Sequence, residues 1–319
     1  MKKTLLLLAK VVFSTGLIWW ILQGADLDTI WASLKGADFT LVLLAFALFY
    51  LGYLIIAQRQ RTLLAAQNIH VSIGFLLKSF AIGMFFTNLL PSTIGGDASR
   101  MYDVWRVGGS KSKAVSVILI DRFFGMFALV IFGLVAAFAS EPMRDAIPGL
   151  PIYLVLAFVA MLSVLWVVFG SGARLLEWFL GVNLGPFSFV QKIAMKIVAG
   201  FELYKGRGDV LWKATGWSLL LQFNVIVHYI ILNFALGIEV PPMAMFAIIP
   251  VAIVLMLAPV SINGIGLRDA IFVFMFGIYG VATESAVAFS WMVLGMILVQ
   301  GVVGGIVFLF RRSLDPVKT

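Results

Sequence analysis

Apolar residues run along this chain in blocks near 4–22, 41–57, 114–138, 152–170, 217–236 and 286–310, with short polar loops between them. Each block approaches the ~20 residues that carry an α-helix across a ~30 Å hydrocarbon layer. Two further apolar stretches, 75–90 and 243–258, are short for a crossing, and each runs into a motif rich in proline and glycine. A short helical piece follows each motif, at 97–107 and 268–280. Both units read as helical hairpins that enter the membrane and turn at the broken motif. Two full crossings per unit are the alternative.

The first motif is Phe86-Thr-Asn-Leu-Leu-Pro-Ser-Thr-Ile-Gly-Gly-Asp-Ala-Ser-Arg100. Pro91 removes a backbone donor, and Gly95-Gly96 permits non-helical dihedral angles. Hydrocarbon satisfies none of the polar groups this frees, so such backbone survives only where protein buries it or a wet cavity receives it. A second copy, Pro259-Val-Ser-Ile-Asn-Gly-Ile-Gly-Leu-Arg268, begins 168 residues later and repeats Pro, Ile, Gly and Arg at matching positions.

Composition fixes the class. The 319 residues are 62% hydrophobic and 12% charged, with a mean hydropathy of +1.07, which excludes an ordinary soluble domain and indicates an all-α polytopic membrane protein. The net charge of +8 does not indicate nucleic acid, because the basic residues are scattered among loops instead of forming a patch. With no cysteine and only His70 and His228, disulfides, thiol chemistry and a histidine-rich metal site are excluded; no metal or cofactor is expected. Lys2-Lys3 followed by 4–22 resembles a signal peptide, but the apolar run has spanning length and Trp19-Trp20 suits an interfacial anchor, so it reads as the first membrane helix.

Loop charge sets the orientation. Loops 23–40, 139–151, 237–242 and 281–285 hold Lys35 and Arg144 against Asp26, Asp28, Asp38, Glu141, Asp145, Glu239 and Glu284. The other loops and both ends carry Lys2, Lys3, Arg59, Arg61, Arg106, Lys111, Lys113, six basic residues in 171–216, Arg311, Arg312 and Lys318. The positive-inside rule then places both termini in the cytoplasm, in the inner cell membrane of a bacterium or archaeon. Under that assignment the first hairpin starts and ends inside and the second starts and ends outside. One membrane domain, 1–319, thus divides into half-repeats 1–138 and 152–312 running in opposite directions, an arrangement used by secondary transporters. The segment 171–216 joins them. Within it Val190, Ile193, Ala194, Ile197, Phe201 and Tyr204 fall at helical spacing opposite Gln191, Lys192, Glu202 and Lys205, as in an amphipathic helix lying at the headgroups.

The motifs supply the candidate chemistry. A helix starting near Gly96 turns its free N–H groups and positive dipole end inward, with Asn88 and Pro91 before it, Gly95 and Gly96 for close backbone approach, and Asp97 and Arg100 in its first turns. Asn263, Gly264, Gly266, Arg268 and Asp269 repeat the arrangement, and two such ends meeting from opposite faces would form one anion site. Asp121-Arg122 lies inside the span 114–138, where ionisable residues normally face the bundle interior and pair. The alternative is a closed network: Asp97, Arg100, Asp121, Arg122, Arg268 and Asp269 sum to zero charge and serve only packing. Asn224 and His228 share a face of 217–236 with Gln222 and Asn233 nearby, a stripe suited to interhelical hydrogen bonds. Gly301-x-x-x-Gly305 permits close helix contact, within the chain or in a homodimer. No phosphate loop, catalytic triad or metal-ligand spacing is present.

With these residues in view, the chain resembles the family named for the transmembrane region of lysylphosphatidylglycerol synthase. The likeness rests on Leu90 to Arg100, on Ile120-Asp-Arg122, and on Pro259-x-Ser261 through Asn263-Gly-x-Gly-x-Arg-Asp269. The resemblance implies a multi-pass protein that moves lipids between leaflets. Synthase members carry an aminoacyl-transferase domain; this chain ends at Thr319 directly after its last helix, so lysyl transfer is not expected. The expectation is a flippase-like translocase, not an enzyme, whose substrate is a membrane lipid with a phosphate-containing head group. The alternatives are an embedded transferase acting on a polyprenyl-phosphate sugar, with Asp97 or Asp121 as acid or base, and a non-transporting subunit of a lipid-modifying enzyme.

Overall fold

A computed structural model describes residues 2–89, 94–169, 191, 195, 198, 200–256, 260–261 and 264–311, and the described residues form helices and turns without strands. The helices are α1 (Lys2–Leu22), α2 (Leu27–Lys35), α3 (Phe39–Ala65), α4 (Ile73–Leu89), α5 (Ile94–Gly108), α6 (Lys111–Ala139), α7 (Glu141–Ala146), α8 (Leu150–Phe169), α9 (Gly208–Ala235), α10 (Pro242–Met256), α11 (Leu267–Gly277) and α12 (Thr283–Leu309). Among the described residues five helices are long and apolar enough to cross a membrane: α3, α6, α8, α9 and α12. Residues 10–22 of α1, together with α4 and α10, are shorter apolar helices.

Side chains fix many of the boundaries. Asp38 caps α3 by accepting from the backbone N–H groups of Thr40 and Leu41 at 2.8 and 3.2 Å, and Ser110 caps α6 through the Lys113 N–H. Ser140 ends α6 and begins α7. Asp26 caps α2, accepting from the Thr29 hydroxyl at 2.7 Å and the Asp28 N–H at 3.0 Å; those bonds hold its carboxyl below the usual carboxylate range.

Four helices differ from the sequence expectation. Helices α2 and α7 lie in stretches read as loops; local caps and one buried anchor each, Ile30 and Met143, stabilise them. Helix α3 runs eight residues past the expected end at 57, because Arg59 and Gln60 turn inward and are buried instead of marking the water boundary. Helix α9 begins at Gly208, so the last residues of 171–216 belong to a span.

The apolar interior falls into two main clusters. One gathers the α3 end (Leu63, Leu64), α4 (Phe75, Phe80), Val104 of α5, the α6 start and the α9 start, all near the basic loops. The other gathers the α6 end, Met143, Leu150, the α9 end, Ile238, Val240, α10, α11 and the α12 start, all near the acidic loops. The first hairpin thus packs in the basic-side cluster and the second in the acidic-side cluster. The helix pairings also correspond between halves: α4 packs on α12 as α10 packs on α6, α5 on α6 as α11 on α12, and α3 on α9.

Phe201 and Tyr204, on the apolar face expected for the linker, are buried in the basic-side cluster together with Val198, and the Tyr204 hydroxyl accepts from Gln67 at 2.8 Å and donates to the Leu63 carbonyl. At these two residues that face is therefore covered by protein. Val190, Lys192, Ile193, Ala194 and Ile197 lie outside the described residues. The polar stripe of α9 hydrogen-bonds mainly between helices: Asn224 donates to the Leu48 carbonyl at 3.0 Å, and His228 Nδ1 lies 2.7 Å from the Ala45 carbonyl. Gly301, Gly304 and Gly305 face α4. A Cβ on Gly304 would fall 1.9 Å from the Ala81 carbonyl oxygen, and one on Gly301 2.1 Å from Asn88 Nδ2. Close approach there requires glycine.

Candidate functional site

The hairpin limbs α4 and α5 meet at Gly96, where a Cβ would lie 2.2 Å from Thr87 Oγ1 and 2.6 Å from the Gly83 carbonyl oxygen. This contact sets α5 so that Asp97, in its first turn, and Arg100 project toward α6 and α3. Arg100 is buried; its guanidinium donates to Asp121 at 2.9 Å, to Gln60 at 3.2 Å and to Asp97 at 3.4 Å, and it lies 4.0 Å from the centroid of the Phe80 ring. Asp121 also accepts from Arg59 at 2.7 Å, and Arg59 donates to Ser218 of α9 at 2.9 Å. Asp97 accepts from Arg122 at 2.8 Å; the Arg122 side chain is 46% exposed, against 1% for Asp121. One charge network therefore joins α3, α5, α6 and α9.

Three arginines face two aspartates, a net charge of +1. These side chains line a cavity of about 300 Å³ bounded also by Tyr53, Phe80, Gly96, Ser218 and Gln222. Arg100 Nε and Gln222 Nε2 are buried without a hydrogen-bond partner among the described residues. Unmatched donors and an unbalanced positive charge around an open volume make a site suited to an anion. Asp121 stands ten residues into α6, about 15 Å along its axis from Lys111, so the cavity lies in the part of the bundle nearer the basic loops.

Of the residues singled out from sequence, Gly96, Asp97, Arg100, Asp121 and Arg122 line this cavity. Gly95 precedes them at the start of α5, half-buried. Asn88 is directed elsewhere, donating to the Ile297 carbonyl of α12 at 2.8 Å. Pro91 and Asn263 lie outside the described residues. Gly264, Gly266, Arg268 and Asp269 are not among the cavity's lining residues. Gly266 has φ +76° and sits against α1, where a Cβ would fall 2.6 Å from the Ser14 carbonyl oxygen; its N–H donates to Asp269 at 2.9 Å, capping α11. Arg268 is buried, donates to Ser290 at 3.2 Å, and leaves Nη2 unpartnered among the described residues. Its electrostatic neighbours are Asp269 and Tyr229. Ser218, at the first cluster, and Tyr229, at the second, are eleven residues apart on α9, about 16 Å along the axis. The two motif arginines occupy two stations.

Arg59, Gln60 and Ser218 were not legible as site residues. Arg59 and Gln60 follow an apolar run and read as the water boundary; only the buried Asp121 and Arg100, distant in sequence, distinguish them.

The sequence profile of the family described as the lysylphosphatidylglycerol synthase TM region matches residues 7–305. A UPF0104 membrane protein of Pyrococcus horikoshii is 31% identical over 139 residues, which are 43% of this chain and 40% of that protein; the match thus spans under half the length of that curated relative. No solved structure matches.

Proposed function

Because the chain belongs to the lysylphosphatidylglycerol synthase transmembrane-region family, a family of membrane proteins with a lipid-related role, we propose that it translocates a lipid bearing a phosphate-containing head group between leaflets. The observation that carries the reading is the cavity with three arginines against two aspartates and unpartnered donors at its wall. A charged group at the bilayer centre costs at least ~3 kcal/mol on insertion scales, and an arginine-lined seam offsets that cost for a phosphate while the tails stay in lipid. Arg100 and Arg122 receive the phosphate from the basic side, and Arg268 holds the station nearer the acidic loops. The placement of the first hairpin in the basic-side cluster and the second in the acidic-side cluster, with matching helix pairings, supports an inverted repeat with both termini in the cytoplasm.

The test is transport of a fluorescent phospholipid by the purified protein in liposomes. Loss of one charge-assisted contact of about 1.5–3 kcal/mol in the transition state slows passage roughly 10- to 100-fold. Arg100→Ala and Arg268→Ala, each eluting as folded protein, are expected in that range. Wild-type rates for both would remove the anion-site reading.

A further inference from the structure

Tyr53 of α3 stands where three volumes meet. It borders the arginine cavity, an aromatic cavity of about 260 Å³ reaching Tyr229, and a groove of about 360 Å³ on the outer face of the bundle. The groove lies between α3 and α12 over α4, and Tyr50, Leu54, Leu77, Val303 and Val307 give it an apolar wall. Tyr50 and Leu54 are exposed there, as suits a face against acyl chains. One cation interrupts the wall: Lys78, exposed and in no ion pair among the described residues. The Tyr53 hydroxyl donates to Gln300 Oε1 of α12, and its ring stacks at 6.4 Å on Phe80. On Phe80 in turn lies the Arg100 guanidinium. Tyr53 and Phe80 are thus the wall between the groove and the arginines.

We propose that this groove is a lateral portal through which the phosphate head group of a bilayer-anchored lipid passes into the arginine cavity, with Tyr53, held shut by Gln300, as its gate. This rests on the translocation reading and adds the route to it. The occupant is fixed by charge and surface together: an apolar trough for the chain, an unpaired ammonium at its margin for the phosphate, and a net positive chamber behind one hydrogen-bonded ring. Gln300 Nε2, buried without a partner among the described residues, is a donor that the head group meets when the ring swings aside. A free phosphate has no need of the trough, so lipid and soluble anion are separable by experiment.

Because the chain has no cysteine, Met84→Cys places a single thiol on the arginine cavity's lining. In liposomes the probe is a maleimide carried on the head group of a phosphoethanolamine lipid, compared with a sulfonated water-soluble maleimide. The lipid-borne probe is expected to label the thiol, and Tyr53→Phe or Gln300→Leu to accelerate it about 3- to 10-fold, the shift produced by losing one hydrogen bond from the closed state. Lys78→Glu is expected to slow it. Equal lipid-probe rates in both gate variants and the parent, or labelling by the water-soluble probe alone, would overturn the portal. Gate-sensitive labelling in a protein that moves no lipid between leaflets would retain the portal and refute translocation.

Discussion

The arginine–aspartate network makes a quantitative prediction about stability. Asp121 is buried between Arg59 at 2.7 Å and Arg100 at 2.9 Å. Removing one member of a buried pair costs about 3–5 kcal/mol, chiefly because the remaining charge loses its compensation. Arg59→Met leaves Asp121 its second guanidinium, so about 3 kcal/mol is expected. Asp121→Leu takes from Arg59 its one carboxylate and from Arg100 the nearer of its two, and raises the net charge of the network from +1 to +2, so about 5 kcal/mol is expected. The double variant removes the Arg59–Asp121 pair whole and leaves Arg100 with Asp97 and Gln60; its cost should fall about 2–3 kcal/mol short of the sum of the singles. The assay is unfolding in mixed detergent–dodecyl sulfate micelles, followed by the fluorescence of the nine tryptophans. Additivity within ~0.5 kcal/mol would show that these residues do not act as one network.

Asp97→Asn likewise moves the five side chains from +1 to +2 and frees Arg122, so more anionic phospholipid should co-purify in native mass spectrometry; an unchanged lipid complement would count against Arg122 as a ligand. Gly304→Ala drives a methyl into the Ala81 carbonyl and should cost about 1–3 kcal/mol, whereas Gly295→Ala, with nothing within 4 Å, should change stability by less than ~1 kcal/mol; both are read by the same unfolding assay. Single cysteines replacing Lys35 and Arg207 should react with impermeant maleimide from opposite sides of the membrane, Lys35→Cys from outside; labelling of both from one side would refute the orientation.

The apolar runs alone determined the helices. A stretch of about 20 mostly apolar residues has no alternative in lipid to satisfying its backbone within a helix; the six expected spans recur as helices α1, α3, α6, α8, α9 and α12, all but α1 long and apolar enough among the described residues to cross a membrane. The hairpin limbs were also legible and recur as α4, α5, α10 and α11, but glycine and proline did not fix where a helix stops, since Gly95-Gly96 lie within α5 and Pro250 within α10. The ends of α3 and α9 were not legible. A polar residue after an apolar run reads as the water boundary, yet Arg59 and Gln60 remain helical because Asp121 and Arg100 await them inside. The sequence also made Arg100 and Arg268 look equivalent. Packing separated them, since α5 abuts α6 and α3's cluster while α11 abuts α12 and α1. Periodicity carries the local interactions that form a helix; which buried charge meets which depends on contacts between helices far apart in the chain, and only the tertiary structure decides those.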